Sequence, residues 1–391
     1  MRKNRKEDII IIEHNKGMIS DNDARRIIDQ DKRARRRKQL AKRIFICIAG
    51  VVVIMAGSAY GAARIMMHTG YKSLREKTVS VPTITMENYD NQGSTGYEWR
   101  DGWVRFNGEV YAYNEDIISF LVMGIDKKTY VTDNSSLTDG GQSDALFLLV
   151  LNPHDKSIKI FAIDRNTMTD IMMLGVGEAG TDVTTIAQIA VQHGFGDGRE
   201  QSCELTVRAV SSLMYDLPIH GYISINYGAI PVINDVIGGV EVTIPEDMAA
   251  ISRKDGLNWE TGDVVTLKGE QALTYIRARD TSQFESARLR MLRQKTYLTS
   301  FASKAISACK EDITLPVILY NKIKRYTVTN ISVDEMTYLA SQISGYHFDG
   351  DQIYTMTGET VMGDNYEEFY LDMDALKEQM IEVFYEKVDR T

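Results

Sequence analysis

Residues 117–163 read IISFLVMGIDKKTYVTDNSSLTDGGQSDALFLLVLNPHDKSIKIFAI, and three apolar runs inside them decide the fold. Ile117–Met123 is short and ends in Gly124. Ala145–Leu151, ALFLLVL, has no polar alternation, as expected of a strand covered on both faces. Ser157–Ile163 follows closely, after the turn at Asn152-Pro153. Three strands, two of them adjacent in sequence, predict a buried sheet.

Helix signals interleave with strand signals downstream. Leu205, Val207, Val210, Leu213, Met214 and Leu217 recur mostly at helical spacing, and Pro218 closes that segment. Tyr222–Asn226 reads as a strand, Ala229–Val236 as a helix, and Val240–Ile244 as a strand after Gly238-Gly239. The alternation predicts a layered α/β domain. Upstream, VRFNGEVYAY after Trp103 reads as a hairpin about Asn107-Gly108. Past residue 300 the pattern is helical: Ser332-Val333-Asp334-Glu335 is a capping-box signature, and Asp374–Val388 reads as a last amphipathic helix. We expect residues 103–300 to form the main domain and 301–391 a helical extension packed upon it.

The chain of 391 residues carries a formal charge of −9, unevenly spread. Residues 1–43 hold 15 Lys+Arg against 7 Asp+Glu, whereas the remainder sums to −17. Between them Ile44–Ala63, IFICIAGVVVIMAGSAYGAA, is free of charge over 20 residues, the length a membrane-spanning helix needs. Lys32–Lys38 and Lys42-Arg43 precede it and few basic residues follow. That asymmetry predicts a cell-membrane protein with a cytoplasmic basic tail (1–43), a single anchor (44–63) and the acidic remainder outside. A cleaved signal peptide would have a much shorter charged region and apolar core. Beside such an anchor the basic run suits anionic lipid head groups rather than nucleic acid. Residues 64–102, with Pro82 and the turn-rich DNQGSTG at 90–96, read as a stalk. Cys47 falls in the anchor; Cys203 and Cys309, far apart, are expected as buried free thiols.

Chemistry is sought at strand ends, where α/β sheets place their ligand crevices. Asp126 follows the first run and Asp144 opens the second. If the strands are neighbours, both carboxylates face one site suited to Mg²⁺ supplemented by substrate phosphates, although aspartates at turns also simply cap them. Arg165 lies just past the third strand, within reach of the same crevice or on the surface. Residues 275–295, YIRARDTSQFESARLRMLRQK, sum to +4 inside the acidic portion. Five arginines against one lysine favour bidentate phosphate recognition, with a solvated helix face as the alternative. No Walker loop, HExxH, Gly-x-Ser-x-Gly or EF-hand loop occurs, and the six histidines lack zinc-ligand spacing.

In order, Met123-Gly124-Ile125-Asp126, Gln142-Ser143-Asp144-Ala145-Leu146, Ile163-Asp164-Arg165-Asn166-Thr167 and Ile237-Gly238-Gly239-Val240-Glu241-Val242 resemble the LytR-CpsA-Psr family. So do Leu267–Leu273 (LKGEQAL), Tyr275-Ile276-Arg277-Ala278-Arg279 and Arg290-Met291-Leu292-Arg293-Gln294. The resemblance implies a central mixed β-sheet flanked by helices. It implies an enzyme that moves a glycopolymer from a polyprenyl-diphosphate carrier to a peptidoglycan acceptor. By this resemblance Asp126 and Asp144 hold Mg²⁺, and Arg165, Arg277, Arg279 and Arg290 bind the diphosphate with help from Gln294. Asp126, Arg165 and Arg277 are then the groups nearest the reaction. Apolar residues of segment 199–217 would line a tunnel for the lipid tail, or be ordinary core. There are departures: Asp164 and Asn166 replace the family's usual proline and aspartate, Thr185 stands where many members are basic, and an acidic residue is displaced to Glu285. The same site would also serve a non-catalytic polyprenyl-phosphate-binding regulator, or a pyrophosphatase with water as acceptor.

Overall fold

The computed structural model describes residues 58, 60–77, 80–84, 100–132, 140–254, 256–280, 282–312, 314–343 and 345–388. The expected basic tail, Cys47 and nearly all of the expected anchor lie outside these residues. Among the described residues no helix is long and apolar enough to cross a membrane. Contacts divide the chain into residues 1–65 and 66–391, and the second unit holds the sheet and its covering helices.

Its centre is a six-stranded mixed sheet. The three runs form β3 (Ile118–Ile125), β4 (Ser143–Asn152) and β5 (Ser157–Ile163), joined antiparallel in that order. β8 (Gly221–Asn226) lies parallel to β3 on its other side. The edges come from the last third of the chain: β11 (Thr327–Thr329) beside β8, and β12 (Ile353–Thr355) parallel to β5. The hairpin at Asn107-Gly108 is present as β1 (Trp103–Phe106) and β2 (Glu109–Tyr113). A second small antiparallel pair, β6 (Met168–Met173) with β7 (Val183–Gln188), follows β5.

Period-two alternation divides the sheet residues between two layers. Leu121, Met123, Leu146 and Leu148 face a core shared with α1 (Glu200–Leu213) and α8 (Met373–Phe384), including Val210, Leu213, Met380 and Phe384. Each of these sheet residues is essentially sealed from solvent, so truncating one to alanine should cost about 2–5 kcal/mol. Ile118, Phe120, Phe147 and Leu149 face the other way. There they meet α5 (Ser286–Glu311) through Met291, Leu298 and Ile306, and α7 (Val333–Ile343) through Leu339 and Ile343. A smaller cluster gathers around Trp259 and Tyr275. It joins α2 (Ile230–Val236), β9 (Val240–Thr243), α3 (Glu246–Lys254), β10 (Val264–Leu267) and α4 (Glu270–Arg277) to α5.

Several expectations are corrected. The region past 300 is not simply helical: besides α6 (Leu315–Ile323), α7 and α8 it supplies both sheet edges and the hairpin β13 (Gly358–Met362)–β14 (Glu367–Leu371). Edge strands of three residues are too short to display a period in sequence. The last helix stops at Phe384, because Tyr385–Lys387 instead pairs with β2 as β15. Residues 66–76, assigned to a stalk from composition, are helical and rest on the domain. Leu74 is fully buried, and Ser73 and Lys77 bind the Glu335 carboxylate at 2.7 and 2.9 Å. Glu335 also closes the capping box with Ser332. Cys203 and Cys309 are free; Cys203 is buried, Cys309 only half-buried.

Candidate functional site

The site forms where β3 ends and β4 begins. Gly124 pairs with Ala145, but Ile125 pairs with Ser143, which leaves Asp144 as the extra residue of a bulge. A bulge re-aims the side chain of the inserted residue, and here it turns Asp144 toward two arginines. Arg165 Nε lies 3.0 Å from Asp144 Oδ1, and Arg290 Nη1 donates to Oδ2 at 3.1 Å. The three side chains are 12%, 5% and 11% exposed for Arg165, Arg290 and Asp144, so solvent screens them little. Arg165 arrives on the turn after β5, where buried Asp164 accepts the Asn166 N–H at 2.8 Å and Asn166 carries the link on to Gln188. Burial raises the Asp164 carboxyl above its ordinary value. Arg290 is brought in by the first turns of α5.

Asp126 stands one strand away. Its Oδ1 accepts the Gln142 N–H at 2.7 Å, while the Gln142 side chain accepts from Arg165. Gln142 thus ties the two aspartates' surroundings together, a role not assigned from sequence. Gly141, just before it, has φ +78° and leaves room for the Asp126 carboxylate. His193 fixes that turn: its Nδ1 donates to the Gly140 carbonyl at 3.0 Å, and burial lowers its pKa to about 4, so it is neutral.

The remaining arginines differ in use. Arg277 stacks over the ring of Tyr227, 4.9 Å to the centroid. Burial, with the Asp144 charge next, drives the Tyr227 hydroxyl pKa far up. Arg279 is half-buried, and its pKa is lowered first by desolvation and then by the like charges of Arg290 and Arg165. Three guanidiniums held against their mutual repulsion, with one carboxylate among them, form a standing demand for an anion. Gln294 lines the same small cavity as Asp144, Arg165 and Arg290, but its amide donates to the Ile276 carbonyl at 3.2 Å. Arg293 is structural: Asp247 pairs with it at 2.9 Å, and it donates to the carbonyls of Tyr275 and Ala278.

Among the described residues no group of three acidic, His or Cys side chains converges as a metal cage. Asp126 and Asp144, at adjoining ends of neighbouring strands, are of the donor class Mg²⁺ takes, one or two protein carboxylates with phosphate and water oxygens. In this structure their oxygens are held by the Gln142 N–H and by Arg165 and Arg290.

The apolar residues of α1 are closed core on one side of the sheet, the alternative to a lipid tunnel. A different apolar cavity, of 170 Å³, opens on the opposite side between Phe120, Val122, Leu149, Leu339 and Ile343. Sequence reading also missed Glu367, on β14, whose Oε1 accepts the Glu285 N–H at 2.7 Å. Nothing in sequence places a carboxylate 202 residues beyond Arg165 beside it.

The layered fold and the buried arginine–aspartate cluster at the end of its sheet define an α/β protein with a cationic site at the strand ends. The chain belongs to the LytR_cpsA_psr family, whose model matches residues 84–383. It is 31% identical over 165 residues to the polyisoprenyl-teichoic acid–peptidoglycan teichoic acid transferase TagU of Halalkalibacterium halodurans, covering 42% of this chain but under half, 46%, of that protein. The TagU of Bacillus cereus is 24% identical over 302 residues, 76% of this chain and 82% of that one. The crystal structure of B. subtilis TagV shares the fold with a TM-score of 0.51 at 24% identity, over 68% of this chain and 96% of that one.

Proposed function

We propose that this protein is a membrane-anchored glycopolymer transferase that moves a glycan from a polyprenyl-diphosphate carrier to peptidoglycan. One observation carries the reading. The buried cluster of Asp144, Arg165 and Arg290 sits at one end of the sheet, and the 170 Å³ apolar cavity lies on one face of the same sheet, between Phe120, Val122 and Leu149 and the α7 residues Leu339 and Ile343. The sheet therefore carries both an anion site and an apolar cavity, which suits an amphiphile with a charged head and a hydrocarbon tail. The names of the TagU relatives support the same substrate class.

Diphosphate oxygens would be received by Arg165, Arg290 and Arg279, with Arg277 held ready on Tyr227. Phosphoryl transfer asks chiefly for positioning and charge neutralisation, which a rigid guanidinium cluster provides. Asp126 and Asp144 would hold Mg²⁺, which when bound neutralises charge on the diphosphate. Gln142 keeps the Asp126 and Arg165 side chains in register. The anchor and outward orientation read from Ile44–Ala63 would keep the site at the bilayer surface where such a carrier resides.

The test uses the full chain in detergent micelles or vesicles with lipid-linked glycan, peptidoglycan and Mg²⁺. Glycan appearing on peptidoglycan with release of polyprenyl phosphate, abolished by chelation, is the expected result. Carrier binding with no transfer to sugar or water would replace the enzyme with a binding protein, and release to water alone would make it a pyrophosphatase. Protease added to wall-stripped cells should remove residues beyond 64 and spare the basic tail; the reverse pattern overturns the orientation.

A further inference from the structure

Beside the arginine cluster lies an open groove of 420 Å³, within the ~300–1,000 Å³ of small-ligand sites. Arg165, Arg279 and Asn166 form its inner wall. The rest of the lining comes from two separate pieces of chain: Ser282, Gln283, Phe284 and Ser286 at the entry to α5, and the turn between β13 and β14 with Glu367, the first residue of β14. Phe284 and Tyr366 line it although 54% and 44% exposed, an unusual placement for two aromatic side chains at the mouth of a charged site. Among the described residues lining it, Glu367 is the single carboxylate.

Glu367 is held firmly. Its Oε1 accepts the Glu285 N–H at 2.7 Å, its Oε2 lies 3.4 Å from Asn166 Nδ2, and its backbone carbonyl accepts from Gln188 at 2.8 Å. Glu285 has φ +58°, a left-handed conformation costly for a side-chain-bearing residue, and the Glu367 contact secures it. The neighbouring carboxylates are otherwise engaged. Asp144 is gripped by Arg165 and Arg290, and Asp164 turns inward to the Asn166 N–H. Glu367 enters no ion pair among the described residues.

We propose that this groove is the acceptor site, taking a saccharide whose attacking hydroxyl gives its proton to Glu367 while its rings stack on Tyr366 and Phe284. The proposal rests on the transferase reading above. One face of a pyranose presents C–H bonds and suits an aromatic ring, while its hydroxyls suit Asn, Gln and Ser side chains. In the step, the acceptor oxygen bonds to the phosphorus that carries the glycan, and its proton passes to Glu367. The bond from that phosphorus to the bridging oxygen breaks, and the electron pair leaves on polyprenyl phosphate. A general base must lie within hydrogen-bond reach of the proton it takes, and Glu367 lines the groove together with Arg165 and Arg279.

The test uses full-length protein in micelles with lipid-linked glycan as donor and an N-acetylglucosamine–N-acetylmuramic acid tetrasaccharide as acceptor. Glu367→Gln retains an acceptor oxygen for the Glu285 N–H, so the fold should survive. Its kcat should fall at least 100-fold, with donor affinity and acceptor KM within threefold, and the acidic limb of the kcat–pH profile should vanish. Glu367→Asp should recover part of the rate. Tyr366→Ala should raise acceptor KM at least tenfold with kcat within threefold. A Gln variant within threefold of wild-type kcat overturns the proposal while leaving the transferase reading intact. If wild-type protein transfers nothing, saturation-transfer NMR with the tetrasaccharide alone still decides. Binding lost in the Phe284→Ala/Tyr366→Ala double variant supports the groove, and no saccharide binding by wild type overturns it.

Discussion

Gly141 leaves its missing side chain to Asp126: a Cβ at this position would stand 2.9 Å from Asp126 Oδ1 and 2.8 Å from Ile125 Cγ2. With φ at +78°, alanine is strained there as well. Gly141→Ala should cost about 1–2 kcal/mol of stability from backbone conformation alone and displace the Asp126 carboxylate. We expect a folded protein with a lowered thermal midpoint and transfer reduced at least tenfold. Unchanged transfer would show that the Asp126 position is not needed.

Asp144→Asn keeps the shape of the bulge but removes the charge that Arg165 and Arg290 share. The two guanidiniums then confront each other with nothing between them, so affinity for a lipid diphosphate should hold or rise. On the proposed function, in which the carboxylate would act in the transition state rather than the ground state, turnover should drop by about 100-fold or more. Parallel loss of affinity and rate would instead assign Asp144 to scaffolding.

Arg277→Lys retains charge but loses the planar stack on Tyr227 and the forked donor. The change should weaken diphosphate binding by about 1–3 kcal/mol, read as a 5- to 150-fold rise in Kd by titration. Equal affinity would return Arg277 to the role of a surface cation over an aromatic ring. Tyr227→Leu, which removes the stack only, should produce a smaller loss.

His193 and His220 are both buried neutral, each with its pKa lowered by desolvation to about 4. An unfolded histidine titrates near pH ~6.5, so the unfolded state takes up these protons first. The stability that rests on keeping them neutral is therefore whole above pH ~6.5. It is lost progressively as pH falls toward about 4, on the order of 3 kcal/mol for each. Chemical denaturation from pH 7.5 to 4.5 should show this decline, and His193→Gln should flatten part of it. Because His193 also holds the Gly140 carbonyl, the variant's transfer should fall even at pH 7.5.

The central strands were legible because they are long and continuously apolar. ALFLLVL admits no other fate in a layered domain, and its neighbours followed from turn residues. Asp126, Asp144, Arg165 and Arg290 could be picked out as strand-end or clustered charges. Their division of labour could not: the bulge that turns Asp144 toward two arginines is a matter of pairing, and pairing is non-local. Gln294 and Arg293 sit in one motif, yet one lines the cluster's cavity and the other braces Tyr275 and Ala278. Glu367 and the short edge strands stayed hidden for the same reason, since their meaning comes from what they meet in space. The polar composition of 66–76 misled in the opposite sense, because one fully buried leucine and a few hydrogen bonds dock a helix that reads as a spacer.

Both margins of the central sheet are supplied late, by Thr327–Thr329 on one side and Ile353–Thr355 on the other. A nascent chain that has reached only Lys310 already owns the four inner strands, with a hydrogen-bonding row bare on each flank. Such rows are templates for joining other chains. Synthesis therefore passes through an interval in which the most apolar part of the molecule is also its most adhesive. The final eighty residues end that interval, so a truncation there should show itself as self-association before it shows itself as lost activity.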